Sequence, residues 1–389
     1  MTTDIALSPP TDAARREPLS QPGSTRKDLA LVAWTFLANR VFLLLLIYMS
    51  RLLIPDRPGN QGHGNHPFKD SRFGDAFVRW DANWYHSIAK SGYFFEGSQS
   101  DVAFFPTFPY LARWTGRLIG NDYVAGIILN HVALFGALVL LLKLARRYLD
   151  EDGAKRAVVF MLVFPTSVFF SYYYAEAIFA FACVGALYFY ERDKLHYAGL
   201  FGMLAASTRL AGILLLPALL FGAFRRNRYR PSPRLAWLLP IAAGLGLVML
   251  VLQVQVHSPL AFVSIQTEWG RTRQFPLLTL YRDYKLMNTG EHAFIAFDLL
   301  AGVGVLCAGL YAFKILDPAH GIFMVGSVLL PLASGSTMAL ERYMVCVVPV
   351  YLVLARLTRH RDVERAVVYA FTLFFALHAV LYTSWYWAG

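Results

Sequence analysis

Residues 74–109, GDAFVRWDANWYHSIAKSGYFFEGSQSDVAFFPTFP, concentrate the side chains able to do chemistry. Asp81 follows Arg79 and Trp80, and Trp84, Tyr85, Ile88 and Tyr93 come after it. At helical spacing Trp84, Tyr85 and Ile88 share a face near Asp81 and Phe77. Such a helix at a bilayer surface puts its rings in the headgroup layer and leaves the Asp81 carboxylate at the water boundary. A carboxylate beside an aromatic wall can take a proton from a sugar hydroxyl, while aromatic faces stack on the sugar. Arg79 stands either to hold a phosphate or to pair with Asp81.

The elements that position this loop follow from composition. The apolar set makes up 57% of the 389 residues and charged residues 16%, against about 25% charged in soluble domains. That balance excludes a disordered chain, a disulfide scaffold and an ordinary soluble enzyme, and leaves an all-α polytopic membrane protein. The net charge of +11 is then the mark of basic loops on one side of a membrane rather than of nucleic-acid binding. Cys183, Cys307 and Cys346 lie far apart in apolar stretches and read as buried small hydrophobes.

Residues 1–28 are polar and Pro-rich, a disordered cytoplasmic tail ahead of a membrane domain over 29–389. The first span is 29–54, and others fall near 123–146, 156–174, 175–190, 197–224, 235–256, 292–313, 319–338, 343–357 and 365–386. The 197–224 stretch reads as two short helices broken around Ser207–Gly212, which brings the total to about ten or eleven spans. Residues 102–118, interrupted by Pro106 and Pro109, suit an interfacial or re-entrant piece. Basic clusters at 143–156, 225–234 and 356–365 mark the cytoplasmic side. Two long loops, 55–122 and 257–291, then face away from the cytosol, and the first carries Asp81. The two halves share no repeat, which weakens a transporter built from inverted repeats.

Ionisable residues inside the spans extend the candidate site. Arg209 sits in the broken stretch, where a charge is costly without a partner such as Glu176 or Asp298. Arg342 heads a span beside Glu341 and suits a phosphate at headgroup depth. Tyr174 and Glu176, in SYYYAEAIF, stand where they reach a sugar hydroxyl or the Asp81 loop. Trp269 and Arg271 occupy the second long loop, in a basic rim with Arg273, Arg282 and Lys285. Asn39 and Arg40, midway along the first span, read as interhelical hydrogen-bonding residues. His63 and His66 lack a neighbouring carboxylate set and do not make a metal site.

FVRWDANWYHSIAKSGY followed by AFFPTFPYLAR resembles the first luminal loop of the PIG-V family of integral-membrane mannosyltransferases. Looser likenesses are FPTSVFFSYYYAEAIFAF, STRLAGILLL, EWGRTRQFP and ERYMVCVVPVY, which reach from about residue 30 to 358. The resemblance implies a GT-C glycosyltransferase fold and a polyprenyl-phosphate-mannose donor. It implies inverting transfer to a lipid or glycan acceptor hydroxyl on the extracytoplasmic side. The family's aspartate after Arg-Trp falls on Asp81, which the resemblance makes the catalytic base. Arg79, Trp80, Trp84, Tyr85, Tyr174, Glu176, Arg209, Trp269, Arg271 and Arg342 form the expected substrate-binding set. No metal or other cofactor is implied, and the expected partners are membrane lipids, with an accessory membrane subunit left open.

Three rivals stand beside this reading: transfer of another polyprenyl-phosphate sugar, a lipid or sugar transporter, and a non-catalytic subunit. Concentration of the polar and aromatic signal in one outer loop favours an enzyme. No Asn-x-Ser/Thr sequon occurs in the chain, which favours a bacterial plasma membrane over the endoplasmic reticulum.

Overall fold

A computed structural model describes residues 25–57, 68, 71–96, 100–287 and 294–387. The expected tail lies outside the described residues up to residue 24, and so do His63 and His66.

Helix α1 (Thr25–Leu53) is a long apolar rod with Asp28 in its first turn and Arg51 in its last, charges that suit the helix dipole. The first long loop holds α2 (Arg72–Asp75), α3 (Ala82–Ser91) and α4 (Thr107–Ile119). In the interrupted 102–118 stretch, α4 buries Phe108 and Ala112 and exposes Trp114 and Leu118, an amphipathic helix too short to span. Then come α5 (Asp122–Ala145), α6 (Glu151–Val163) and α7 (Glu176–Glu191). Asn121 caps α5 by accepting from the Val124 N–H at 3.1 Å, and Asp150 caps α6 by accepting from Gly153 at 2.8 Å. Arg146 at the end of α5 reaches Asp28 at 2.6 Å and ties α1 to it.

The 197–224 stretch breaks where expected. Helix α8 (Leu195–Thr208) unwinds at Arg209, which is extended at φ −152°, ψ 147°. A 3₁₀ turn over Leu210–Leu214 leads into α9 (Leu215–Arg226). Gly212 packs on the Ala205 backbone so closely that a Cβ would lie 2.3 Å from its carbonyl carbon, so only glycine fits this turn.

After α10 (Pro240–Val256), the second long loop carries α11 (Ala261–Ser264) and α12 (Pro276–Met287). The remaining helices are α13 (Ile295–Ile315), α14 (Pro318–Leu332), α15 (Leu340–Met344), α16 (Pro349–Leu357) and α17 (Arg361–Thr383).

Among the described residues, five helical stretches are long and apolar enough to cross a membrane: 26–53, 122–145, 233–256, 295–315 and 361–383. Only 28% of the best window of 26–53 is buried, and Trp34, Leu45 and Leu53 face outward as lipid-facing side chains do. The chain is a multi-pass membrane protein. The other expected spans are shorter and interrupted. The 16 residues of α7 rise about 24 Å, short of the roughly 30 Å hydrocarbon core. Pro349 divides the 343–357 stretch into α15 and α16, because proline lacks the N–H that would continue the helix. Cys183 and Cys346 are buried as expected, but Cys307 is exposed on α13, one of the helices long and apolar enough to cross a membrane.

Between α6 and α7 the chain runs through residues 164–175 with little regular structure, yet Tyr172, Tyr173 and Tyr174 are fully buried. Non-helical backbone at membrane depth survives only when its polar groups find partners. Asn130 on α5 supplies them, donating to the carbonyls of Tyr172 at 2.6 Å and Tyr174 at 2.8 Å. Tyr172 stacks on Tyr382 of α17 with ring centroids 3.9 Å apart, and the Tyr382 hydroxyl also bonds the Arg79 backbone, so α17 meets both this segment and the first loop. In α1, Asn39 donates to the Leu162 carbonyl of α6 at 3.2 Å, the interhelical contact expected of it, whereas Arg40 bonds Ser171 in the irregular segment.

Candidate active site

Asp81 is aimed by a strained turn. Trp80 adopts a positive φ of 52°, unusual for a bulky residue, and its neighbours hold it there. The Arg79 N–H donates to Tyr382 Oη at 3.0 Å, and the same hydroxyl donates back to the Arg79 carbonyl at 3.1 Å. Tyr174 Oη donates to that carbonyl at 3.0 Å and accepts from the Asp81 N–H at 3.2 Å. Trp385 and Trp387 meet Trp80 edge-on at 5.8 and 5.4 Å. Asp81 then stands at the start of α3 with its carboxylate free of any capping bond.

Its partner is not Arg79. Arg79 turns back to Asp75 at 2.5 Å and lies under Trp385, its guanidinium carbon 4.5 Å from the ring centroid. It is 1% exposed and lies apart from the cleft, so it shapes the turn rather than meeting a phosphate. The cation on Asp81 comes from α15: Nη2 of Arg342 is 2.8 Å from Oδ2 of Asp81. Nε of Arg342 lies 3.6 Å from Oε1 of Glu176, and Nη1 of Arg209 lies 2.6 Å from the same oxygen. Glu176 opens α7 and is wholly buried. The unwinding of α8 at Arg209 lets that side chain reach it.

Asp81, Arg209 and Arg342 border a cleft of about 300 Å³ built from both long loops and the helix ends between them. Asp81, Tyr85, Arg209, Trp269, Arg271 and Arg342 line it. Burial, aided by the nearby Glu176 carboxylate, pushes the Tyr85 phenol well up, so it stays protonated beside Asp81. Trp84 stands behind the wall, parallel to Phe104 at 6.2 Å and edge-on to Trp269 at 5.8 Å. Trp80, Trp84, Tyr174 and Glu176 thus support the lining rather than form it.

Sequence reasoning passed over several contributors. Tyr343 accepts from Arg271 Nη2 at 3.1 Å and lies under Arg209, whose guanidinium carbon is 4.6 Å from the ring centroid. Gln266 accepts from Arg271 Nη1 at 3.0 Å and orients it. Tyr343 adjoins Arg342 in ERYM, a signal that only position in the fold makes legible. Glu341 does not pair with Arg342; it meets His378 Nε2 at 2.9 Å on α17.

Among the described residues, Glu191, Asp317 and His320 have the mutual spacing of metal ligands. They lie at the other end of α7 from Glu176. Arg147 holds Glu191 at 2.6 Å, and Arg226 spans Glu191 at 2.8 Å and Asp317 at 3.0 Å, so the carboxylates already face guanidiniums.

The family model described as mannosyltransferase (PIG-V) matches residues 67–227, which include Asp81, Tyr174, Glu176 and Arg209. The chain is 32% identical over 160 residues to GPI alpha-1,6-mannosyltransferase 2 of Mus musculus and, equally, of Rattus norvegicus. Each match covers 38% of this chain and spans 31% of the mouse and 32% of the rat protein, about a third of the length of these relatives. In fold the chain is similar to ArnT from Cupriavidus metallidurans, a structure bound to undecaprenyl phosphate. The TM-score is 0.50 at 16% identity, covering 85% of this chain and 61% of that one. Residues 67–227 thus carry the sequence pattern of the mannosyltransferase (PIG-V) family, set in a membrane fold of the GT-C class.

Proposed function

We propose that the protein is an inverting mannosyltransferase that takes mannose from a polyprenyl-phosphate-linked donor and passes it to an acceptor hydroxyl on the extracytoplasmic side. The observation that carries this reading is the Asp81–Arg342 pair at 2.8 Å in a cleft shared with Arg209 and Arg271. Transfer with inversion needs one base for the acceptor proton and cations for the departing phosphate. Asp81 supplies the first, and the three arginines supply the second.

Charge supports a single-phosphate donor. Three guanidiniums, on Arg209, Arg271 and Arg342, face two carboxylates, on Asp81 and Glu176, which leaves one positive charge to meet one phosphodiester. The apolar wall of Phe262, Leu330, Pro331 and Val347 suits a lipid-linked substrate entering from the bilayer. The fold neighbour ArnT, bound to undecaprenyl phosphate, is in keeping with a lipid carrier. The basic ends of α5 and α9 face the cytoplasm in this reading, and the absence of sequons favours a bacterial plasma membrane.

The test is transfer by membranes carrying the protein, with radiolabelled polyprenyl-phosphate mannose and a mixed extract of lipid and glycan acceptors. Asp81→Asn should cut transfer at least about 100-fold with expression unchanged. Parallel reactions with polyprenyl-phosphate glucose and arabinose fix the sugar. Transfer that survives Asp81→Asn would remove Asp81 as base.

A further inference from the structure

We propose that Arg342 is handed from Asp81 to the departing phosphate during transfer, so that protonating the base and charging the leaving group form one exchange. This rests on the transferase reading above. Nη2 of Arg342 is engaged by Asp81 at 2.8 Å, while its Nε and Nη1 make no hydrogen bond among the described residues although the residue is 5% exposed. A buried guanidinium with donors to spare is suited to a second acceptor. Arg342 and Asp81 border the same cleft as Arg271 and Arg209, so an anion in that cleft competes with Asp81 for Arg342. Glu176, 3.6 Å from Nε of Arg342 and fixed by Arg209 at 2.6 Å, keeps a counter-charge beside the guanidinium as it turns.

The step balances. The acceptor O–H bond breaks and its proton goes to Asp81. The acceptor oxygen forms a bond to the anomeric carbon. The bond from that carbon to the phosphate oxygen breaks, and its electron pair stays with the phosphate. The phosphate passes from one negative charge to two as Asp81 loses its own. Total charge in the cleft is constant, but the negative charge facing Arg342 moves from the carboxylate to the phosphate. A guanidinium in a poorly solvated cleft follows it.

Binding of a polyprenyl monophosphate, the expected lipid product, to the purified full chain in nanodiscs tests this. Asp81→Asn and Asp81→Ala both mimic the loss of negative charge at the base. Each should bind the monophosphate about tenfold tighter than wild type, because Arg342 is released to it. Measured against Arg342→Gln, the gain should vanish in the double variant Asp81→Asn/Arg342→Gln. Asp81→Ala guards against an altered fold in the Asn variant, and thermal unfolding of each is measured alongside. If wild type binds but neither Asp81 variant tightens, or the gain persists without Arg342, the hand-off is wrong and the transferase reading stands. If wild type does not bind the monophosphate at all, the transferase reading fails and takes the hand-off with it.

Discussion

Arg79 and Asp81, two residues apart, point to different cations and anions: Arg79 pairs with Asp75 at 2.5 Å, and Asp81 pairs with Arg342 at 2.8 Å. The left-handed turn at Trp80 separates them. One charge therefore holds the loop, and the other faces the cleft.

Replacing Arg79 tests that separation. Arg79→Met should remove the bond to Asp75 and the contact under Trp385, breaking a buried ion pair from one side. A loss of about 3–5 kcal/mol in stability is expected. Because Arg79 is apart from the cleft, the fraction that stays folded should keep the wild-type donor KM. A raised KM with unchanged stability would place Arg79 at the substrate instead.

Glu176→Gln should act on both arginines at once. The amide still fills the space, but Arg209 and Arg342 lose their shared counter-charge. Thermal unfolding should fall by several degrees, and kcat by at least about tenfold, as Arg342 draws closer to Asp81. A variant as active and as stable as wild type would show that the buried carboxylate carries no role in the cleft.

Asn130→Leu probes the irregular segment behind the site. It leaves the Tyr174 carbonyl without the Asn130 donor, at about 1–3 kcal/mol, while the Tyr172 carbonyl still accepts from the Tyr174 N–H at 2.8 Å. Since Tyr174 holds the Asp81 turn, transfer should decline with stability. Hydrogen exchange over 170–176 should rise first, and exchange that stays at the wild-type rate would contradict this account.

Asp101 predicts a pH effect. Burial pushes its carboxyl up from 3.8 to about 6, against the N–H of Phe94 and the Ser87 hydroxyl, which favour the charged form. A raised folded-state value means that its contribution to stability is complete below pH 3.8 and lost as pH rises through about 6. Asp101→Asn keeps an acceptor for the Phe94 N–H, which Asp101 holds at 3.0 Å. The variant should match wild type near pH 4 and exceed it at pH 7.5 by on the order of 1–2 kcal/mol. Thermal unfolding at the two pH values reads this directly, and parallel curves at both would refute it.

Much of this protein was legible in its residues. Long apolar runs such as 29–54 and 235–256 must be helices in a membrane, because no other single segment satisfies its own backbone there. The break in 197–224 was legible because Ser207, Thr208, Arg209 and Gly212 interrupt an apolar stretch. The loop around Asp81 stood out because aromatic and charged residues are dense where apolar ones are expected. Pairings were not legible, since a charge in a sequence has many candidate partners and its choice depends on which helix ends meet. Arg79 stood as the partner for Asp81 by proximity, and Arg342 only as a phosphate ligand, until the left-handed φ of Trp80 set Arg79 on Asp75 and the fold brought Arg342 to Asp81. Tyr343, Gln266 and Asn130 carried no signal of their own, because their roles exist only through contacts between distant segments. Local pattern determined the helices and the chemistry on offer; tertiary packing decided which charges meet, because only the folded chain brings α7, α8, α15 and the first long loop to one point.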